Sequence, residues 1–235
     1  MNVKDKKIII FGGTSGIGLS STIMLAEMGA KKIFAISRNP EKCNFNANNL
    51  EVHKLNVLDE DKLSVFFDQI GEYDILINTA TGGDRALGPF IEMDLQGYRN
   101  SFRKLWGYTN TVRLGLKNIN KNGCVVLVSG SPARRCKPGQ IALASVGGAV
   151  EAFAKSLSAE IKPIRINVVS PGIIDTPMSP LEGDDRVNFY TNITKENLIP
   201  RAGKPEEVAQ AILFAIQNEF ITGTTIDVDG GWLNS

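Results

Sequence analysis

The run Ile8-Ile9-Ile10-Phe11 passes without a break into Gly12-Gly13-Thr14-Ser15-Gly16-Ile17-Gly18, and no other stretch restricts the fold as much. A short apolar run bounded by glycine reads as a buried strand. Behind the glycines, Leu19, Ile23, Met24, Leu25 and Met28 recur at helical spacing. A strand that turns through glycine into a helix presents bare backbone at the helix start. Unpaired N–H groups there attract an anion, and the missing Cβ atoms allow close approach. Glycine-rich turns also occur without a ligand, so the motif takes its weight from the strand before it and the helix behind it. This segment is predicted to hold the pyrophosphate of a dinucleotide.

The alternation continues along the chain. Strands are predicted at Lys7–Phe11, Lys32–Ile36, Leu50–Asn56, Asp74–Ile77, Cys124–Ser129, Arg165–Val169 and Thr225–Val228. Helical patterns fall near Gly16–Met28, Asp59–Ile70, Asp94–Ile119, Gln140–Ile161 and Pro205–Asn218. Such alternation implies a parallel sheet covered on both faces, and right-handed crossovers make it doubly wound. The expectation is an α/β fold: a single Rossmann-type domain over residues 1–235, with a seven-stranded parallel sheet flanked by helices. Asn39 to Asn49 reads as one turn and a loop. Ligands of these sheets sit at the carboxyl ends of the strands, so the informative residues should follow strands.

Lys plus Arg number 26 against 25 Asp plus Glu, with no basic stripe, which speaks against a nucleic-acid partner. No apolar stretch reads as approaching the roughly 18–20 residues of a bilayer span. Met1 to Lys7 leads into a strand and not a signal peptide, so a cytoplasmic protein without a membrane partner is expected. Cys43, Cys124 and Cys136 are odd in number and lack metal-type spacing; they read as reduced thiols. His53 is the only histidine and reads as an exposed residue of the third strand, so no metal site is expected.

Four markers together resemble the short-chain dehydrogenase/reductase family. They are Gly12-x-x-x-Gly16-Ile17-Gly18, Asn78-Thr79-Ala80, Asn167-Val168-Val169-Ser170-Pro171-Gly172 followed by Asp175-Thr176-Pro177, and Ile221-Thr222-Gly223 through Val228-Asp229-Gly230-Gly231-Trp232. They span nearly the whole chain in the family's order. The resemblance implies a nicotinamide cofactor and a homodimer or homotetramer. It places Gly12, Thr14, Ser15, Gly16, Ile17 and Gly18 on the pyrophosphate and ribose, Asn56 and Val57 beside the adenine, and Asn78 and Ala80 on the ribose side. It places Pro171, Gly172, Ile174 and Thr176 around the nicotinamide. Phe11 stands where the family has a threonine, and Asn56 where it has an aspartate. The second strand ends in Ser37-Arg38, without the carboxylate that an NAD ribose favours. A guanidinium suits a 2′-phosphate, so NADP(H) is favoured and NAD(H) stays open.

The resemblance also implies a Tyr-x-x-x-Lys pair early in the helix after the fifth strand. In this chain Leu143 and Gly147 fall on those positions, and Ile141 to Phe153 holds neither residue type. A positioned acid–base group is worth about 10²–10⁴ in rate. Ser129 or Ser131 stands for the family's serine. Gly147-Gly148 costs roughly 1 kcal/mol per glycine relative to alanine in mid-helix. Either close packing on the small-residue surface of Ala144, Ser145 and Ala149 offsets this, or the glycines leave room for another side chain. Lys104, at the position of the family's asparagine, is that candidate, with Tyr108 at i+4 on the same face. A nearby ammonium would lower the phenol pKa, making Lys104 and Tyr108 a candidate relocated proton relay. The alternative is a solvated lysine and a core tyrosine. Thr81, Asp84, Arg85, Arg134 and Arg135 are further polar groups near the expected mouth, the last two as candidate carboxylate or phosphate binders or simply surface arginines. Residues of about 178–200 form the expected substrate lid.

Two functions follow. One is an NADP(H)-binding oxidoreductase acting on a small carbonyl or enone-type molecule with non-standard proton delivery, conjugate reduction fitting better than simple ketone reduction. The other is a catalytically inactive nicotinamide-nucleotide-binding sensor or scaffold.

Overall fold

The computed structural model describes residues 1–81 and 85–235. Asp84 lies outside the described residues. Seven strands form one parallel sheet: β1 (Lys7–Phe11), β2 (Lys32–Ser37), β3 (Leu50–Lys54), β4 (Tyr73–Asn78), β5 (Ile119–Val128), β6 (Arg165–Pro171) and β7 (Thr225–Val228). Their order is β3-β2-β1-β4-β5-β6-β7, so the direction of winding reverses between β1 and β4. A crevice opens at such a reversal.

Strand side chains alternate between faces. Ile8 and Ile10 pack with Leu25, Val208 and Ile212 under α1 (Gly16–Glu27) and α7 (Pro205–Gln217). Ile9 and Phe11 face the other way, onto Phe66 and Phe67 of α2 (Glu60–Ile70). That layer continues with α4 (Arg103–Gly115), carrying Tyr108 and Val112, and α5 (Ile141–Glu160), carrying Val150 and Ala154. Phe11 is fully buried with its ring 6.1 Å from Phe67, so the residue that replaces the family's threonine serves the core.

Several expectations need correction. The helix expected over Asp94–Ile119 is two, α3 (Leu95–Ser101) and α4, meeting at Phe102. Residues 178–200, the expected lid, contain a helix not anticipated, α6 (Gly183–Thr194). His53 is half-buried rather than exposed, between Phe34 and Phe66, with Nε2 2.7 Å from Glu51. By length and hydropathy, the 20-residue α5 meets the criteria for a membrane span, contrary to the sequence reading. Its Ala142, Val146, Val150 and Ala154 are nevertheless buried within the fold.

Arg165, on β6, shows how the α7 layer is fastened. Its nearly buried guanidinium donates to the carbonyls of Ala215 at 2.8 Å, Ile216 at 2.7 Å and Ile221 at 3.2 Å. These include carbonyls from the last turn of α7, which have no partner within the helix. Arg165→Met should therefore lower the unfolding free energy by about 2–4 kcal/mol, read from urea denaturation, because buried acceptors lose charge-assisted bonds.

Candidate functional site

A cleft of about 320 Å³ lies at the carboxyl ends of β1, β2 and β4. Glycine shapes its floor. Gly12 and Gly16 have φ of +81° and +51°. A Cβ on Gly12 would overlap Thr79, and one on Gly18 would overlap the Gly12 carbonyl. Ser15 is the N-cap of α1, yet its side chain makes no capping bond, and the first turn holds no acid. The first-turn N–H groups thus lack a side-chain partner and carry the positive end of the helix dipole. These features fit a dinucleotide pyrophosphate, with Thr14, Ser15 and Ile17 completing the wall.

Ser37, Arg38, Asn56 and Val57 line the far end of the cleft. The Ser37 hydroxyl accepts from Asn39 N at 3.1 Å, holding the turn after β2, and Asn56 Oδ1 accepts from Leu58 N at 3.1 Å. Lys42 joins Arg38 there, carried inward by the single helical turn Pro40–Lys42. The sequence reading missed Lys42; its spacing of four residues from Arg38 was the available signal. Among the described residues, none lining the cleft is acidic. The donor set therefore fits a 2′-phosphate.

At the other end the cleft wall takes in only some of the residues expected around the cofactor. Asn78 is fully buried and off the cleft wall: its Oδ1 accepts from Ala80 N at 3.0 Å and its Nδ2 donates to Thr111 at 2.8 Å. It shapes the wall through Ala80, beside Thr79 and Thr81. Pro171, Gly172 and Ile174 also do not line the cleft. Gly172 has no room for a Cβ against Asp229, and Ile174 bridges to Gly203. Of that expected group only Thr176 reaches the cleft, followed by Pro177 and Met178, which the sequence reading had not placed there. Arg186 ties this wall to α6. It pairs with Asp175 and donates to the carbonyls of Thr176 at 2.8 Å, Ser179 at 3.1 Å and Leu181 at 2.8 Å.

The candidate catalytic residues meet near the end of β5. Lys104 Nζ donates to the Ser129 carbonyl at 3.0 Å. Burial, and then the like charge of Arg85, pull the Lys104 pKa down to about 7. Tyr108 does not fit the expected relay. Its hydroxyl donates to the Val128 carbonyl at 3.0 Å in the core, and the Lys104 ammonium lies 5.6 Å from the centre of its ring. Burial pushes the phenol pKa up, opposite to the expected direction. The two serines also separate. Ser129 Oγ donates to Glu151 at 2.9 Å, whereas the buried Ser131 Oγ has no partner among the described residues.

The space over Gly147 is closed rather than open to Lys104. A Cβ there would stand 2.9 Å from Ala133 Cβ, in the helical turn Ser131–Ala133, whereas one on Gly148 would meet nothing within 4 Å. The adjoining arginines hold that turn in place. Arg134 pairs with Asp227 and lies 3.5 Å from Glu151, and Arg135 bonds the Trp232 carbonyl. These bonds commit Arg134 and Arg135 to the C-terminal segment rather than to a substrate anion.

The comparisons agree with this architecture. Residues 12–233 match the family model described as enoyl-(acyl carrier protein) reductase. The 3-oxoacyl-[acyl-carrier-protein] reductase FabG of Thermotoga maritima is 32% identical, covering 98% of this chain and 99% of its own. The chain belongs to the short-chain dehydrogenase/reductase family. Carbonyl reductase family member 4 of Xenopus tropicalis is 31% identical over 96% of this chain and 97% of its own length. A crystal structure of a small-chain dehydrogenase in complex with NADPH superposes with a TM-score of 0.83 at 29% identity, covering 99% of this chain and all of that one.

The two glycines of α5 should respond oppositely to alanine. Gly147→Ala should lower the unfolding free energy by about 1–2 kcal/mol through overpacking. Gly148→Ala should raise it by up to about 1 kcal/mol through helix propensity. Parallel urea titrations check both.

Proposed function

We propose that this chain is an NADP(H)-dependent oxidoreductase of the short-chain family. It reduces a small carbonyl or enone-type molecule and draws its proton from Lys104 instead of a tyrosine on α5. The observation that carries the proposal is the half-buried Lys104 ammonium, bonded at 3.0 Å to the Ser129 carbonyl at the end of β5, where desolvation draws its pKa down to about 7. A donor that titrates near the working pH is suited to general acid catalysis. Leu143 and Gly147 stand at the family's tyrosine and lysine positions and offer no proton.

The cofactor supplies a hydride when bound, and the chain's residues manage the substrate oxygen. Lys104 donates a proton to that oxygen, or holds it as an enolate during conjugate reduction, and is reprotonated from water. Ser131, whose hydroxyl is unspent, is better suited than Ser129 to donate a hydrogen bond to the same oxygen. Arg38 and Lys42 favour NADP(H) over NAD(H) because both offer donors for a 2′-phosphate. Support also comes from relatives whose names include reductase and from a structural neighbour bound to NADPH. The outer face of α5, where Gly148 has open space and Ile141 is exposed, is the surface proposed for a homodimer or homotetramer. One observation favours the sensor or scaffold instead: Ala133 closes the place of the family's lysine. Tight NADPH binding without turnover on ketones and enones would decide for it.

Arg38→Ala and Lys42→Ala should each weaken NADPH binding about 10-fold or more, with little change for NADH, in fluorescence titrations. Lys104 donates only in its protonated form, so wild-type kcat/KM should fall as pH rises through about 7. Lys104→Met should lower kcat about 10²-fold or more and abolish that limb of the pH profile.

A further inference from the structure

We infer that Trp232 is a positioning residue: the turn it anchors after β7 joins the loop that carries Ser131 to the segment that braces Thr176, and holds the two in fixed relation. The chemical part of Ser131 rests on the function proposed above, whereas the join is read from contacts alone. Trp232 closes the marker Val228-Asp229-Gly230-Gly231-Trp232, which that mechanism does not use. It is only 5% exposed, yet it belongs to neither hydrophobic core. Its partners lie in one loop. The indole Nε1 donates to the Arg135 carbonyl at 3.2 Å, and the Arg135 guanidinium donates back to the Trp232 carbonyl. That guanidinium and the Lys137 ammonium lie 5.6 and 4.4 Å from the centre of the ring, whose face attracts cations. Arg135 N in turn donates to the Ser131 carbonyl at 3.2 Å, as Arg134 N does at 3.1 Å. The residue with the unspent hydroxyl is thus held from beyond β7.

The same turn grips the other wall. Gly230 and Gly231 have φ of +64° and +79°, which side chains rarely adopt. A Cβ on Gly231 would overlap Leu198, and Ile199 N donates to the Gly230 carbonyl at 2.9 Å. From there the chain runs to Gly203. Its N–H donates to the Ile173 carbonyl at 2.9 Å, and its carbonyl accepts from Asp175 N at 2.9 Å. Asp175 precedes Thr176, which lines the cleft. The Asp229 carboxylate locks the turn internally by accepting from Gly231 N and Leu233 N, both at 2.9 Å. A turn that is stiff in itself and held on both sides transmits position from one side to the other. Ser131 and the Thr176 wall, which come from different crossovers of the sheet, therefore share one support.

Hydrogen exchange of the full chain, read by mass spectrometry, tests the join in wild type, Trp232→Leu and Trp232→Phe. Trp232→Leu should speed exchange about 10-fold or more both in residues 131–136 and in residues 198–203, with β1 and α1 unchanged. Trp232→Phe keeps a ring beneath the two cations and should recover part of the protection. If Trp232→Leu does not fold, Arg135→Met, which removes the guanidinium bond to the Trp232 carbonyl, carries the same expectation. Faster exchange in only one of the two segments, in neither, or equally in β1 and α1 overturns the inference. Kinetics with 2-cyclohexenone and ethyl acetoacetate test the positioning of Ser131. Trp232→Leu should lower kcat about as far as Ser131→Ala does, the double variant should fall no further, and NADPH affinity should hold. Additive losses overturn the positioning role. A wild type that fails to bind NADPH, or turns over neither acceptor, counts against the function instead, and the exchange result still decides the join.

Discussion

The close approach of β1, β4 and α1 governs the rest of the molecule. Thr79 N and Oγ1 both bond the Phe11 carbonyl, at 2.9 and 3.1 Å, and Thr22 bonds the Gly13 carbonyl at 2.9 Å. Backbone packs on backbone here, which only glycine at positions 12 and 18 permits. The first turn of α1 consequently opens onto the cleft with N–H groups that no side chain satisfies. The sheet's reversal of winding sets where the cleft lies, and this contact sets what it attracts.

Much of the fold was legible because the central β-strands are apolar and helices such as α2 and α7 have a buried face. The strand order follows from that pattern and from crossover handedness. The misses have local causes. Asp94 to Ile119 keeps one helical pattern across the break at Phe102, because neither proline nor glycine marks it. Two separate contacts place the halves: Tyr98 bonds Ser145 at 3.0 Å, and Gly107 packs against Val57. In α6 only Tyr190 and Thr194 are buried, so it shows no apolar stripe. The length of α5 was legible, but alanine, glycine and serine disguised how apolar it is on average.

The site was legible where backbone makes it and less so where side chains must reach. The glycine turn, Arg38 and Thr176 all line the cleft. Lys42 does so through a single helical turn that its sequence does not announce. Tyr108 shares a helix face with Lys104 as its spacing required, but spacing does not say where a hydroxyl points. In one dimension Gly147 was compatible with either close packing or a vacancy. In three dimensions Ala133 occupies the space, and Arg134 anchors that loop to the far end of the chain.

Arg186 has a mechanical consequence. Its five hydrogen bonds reach Asp175 twice and the Thr176, Ser179 and Leu181 carbonyls once each. The first turn of α6 and the stretch behind Thr176 are therefore riveted into one plate. Any displacement of the start of α6 is transmitted to the edge that borders the cleft.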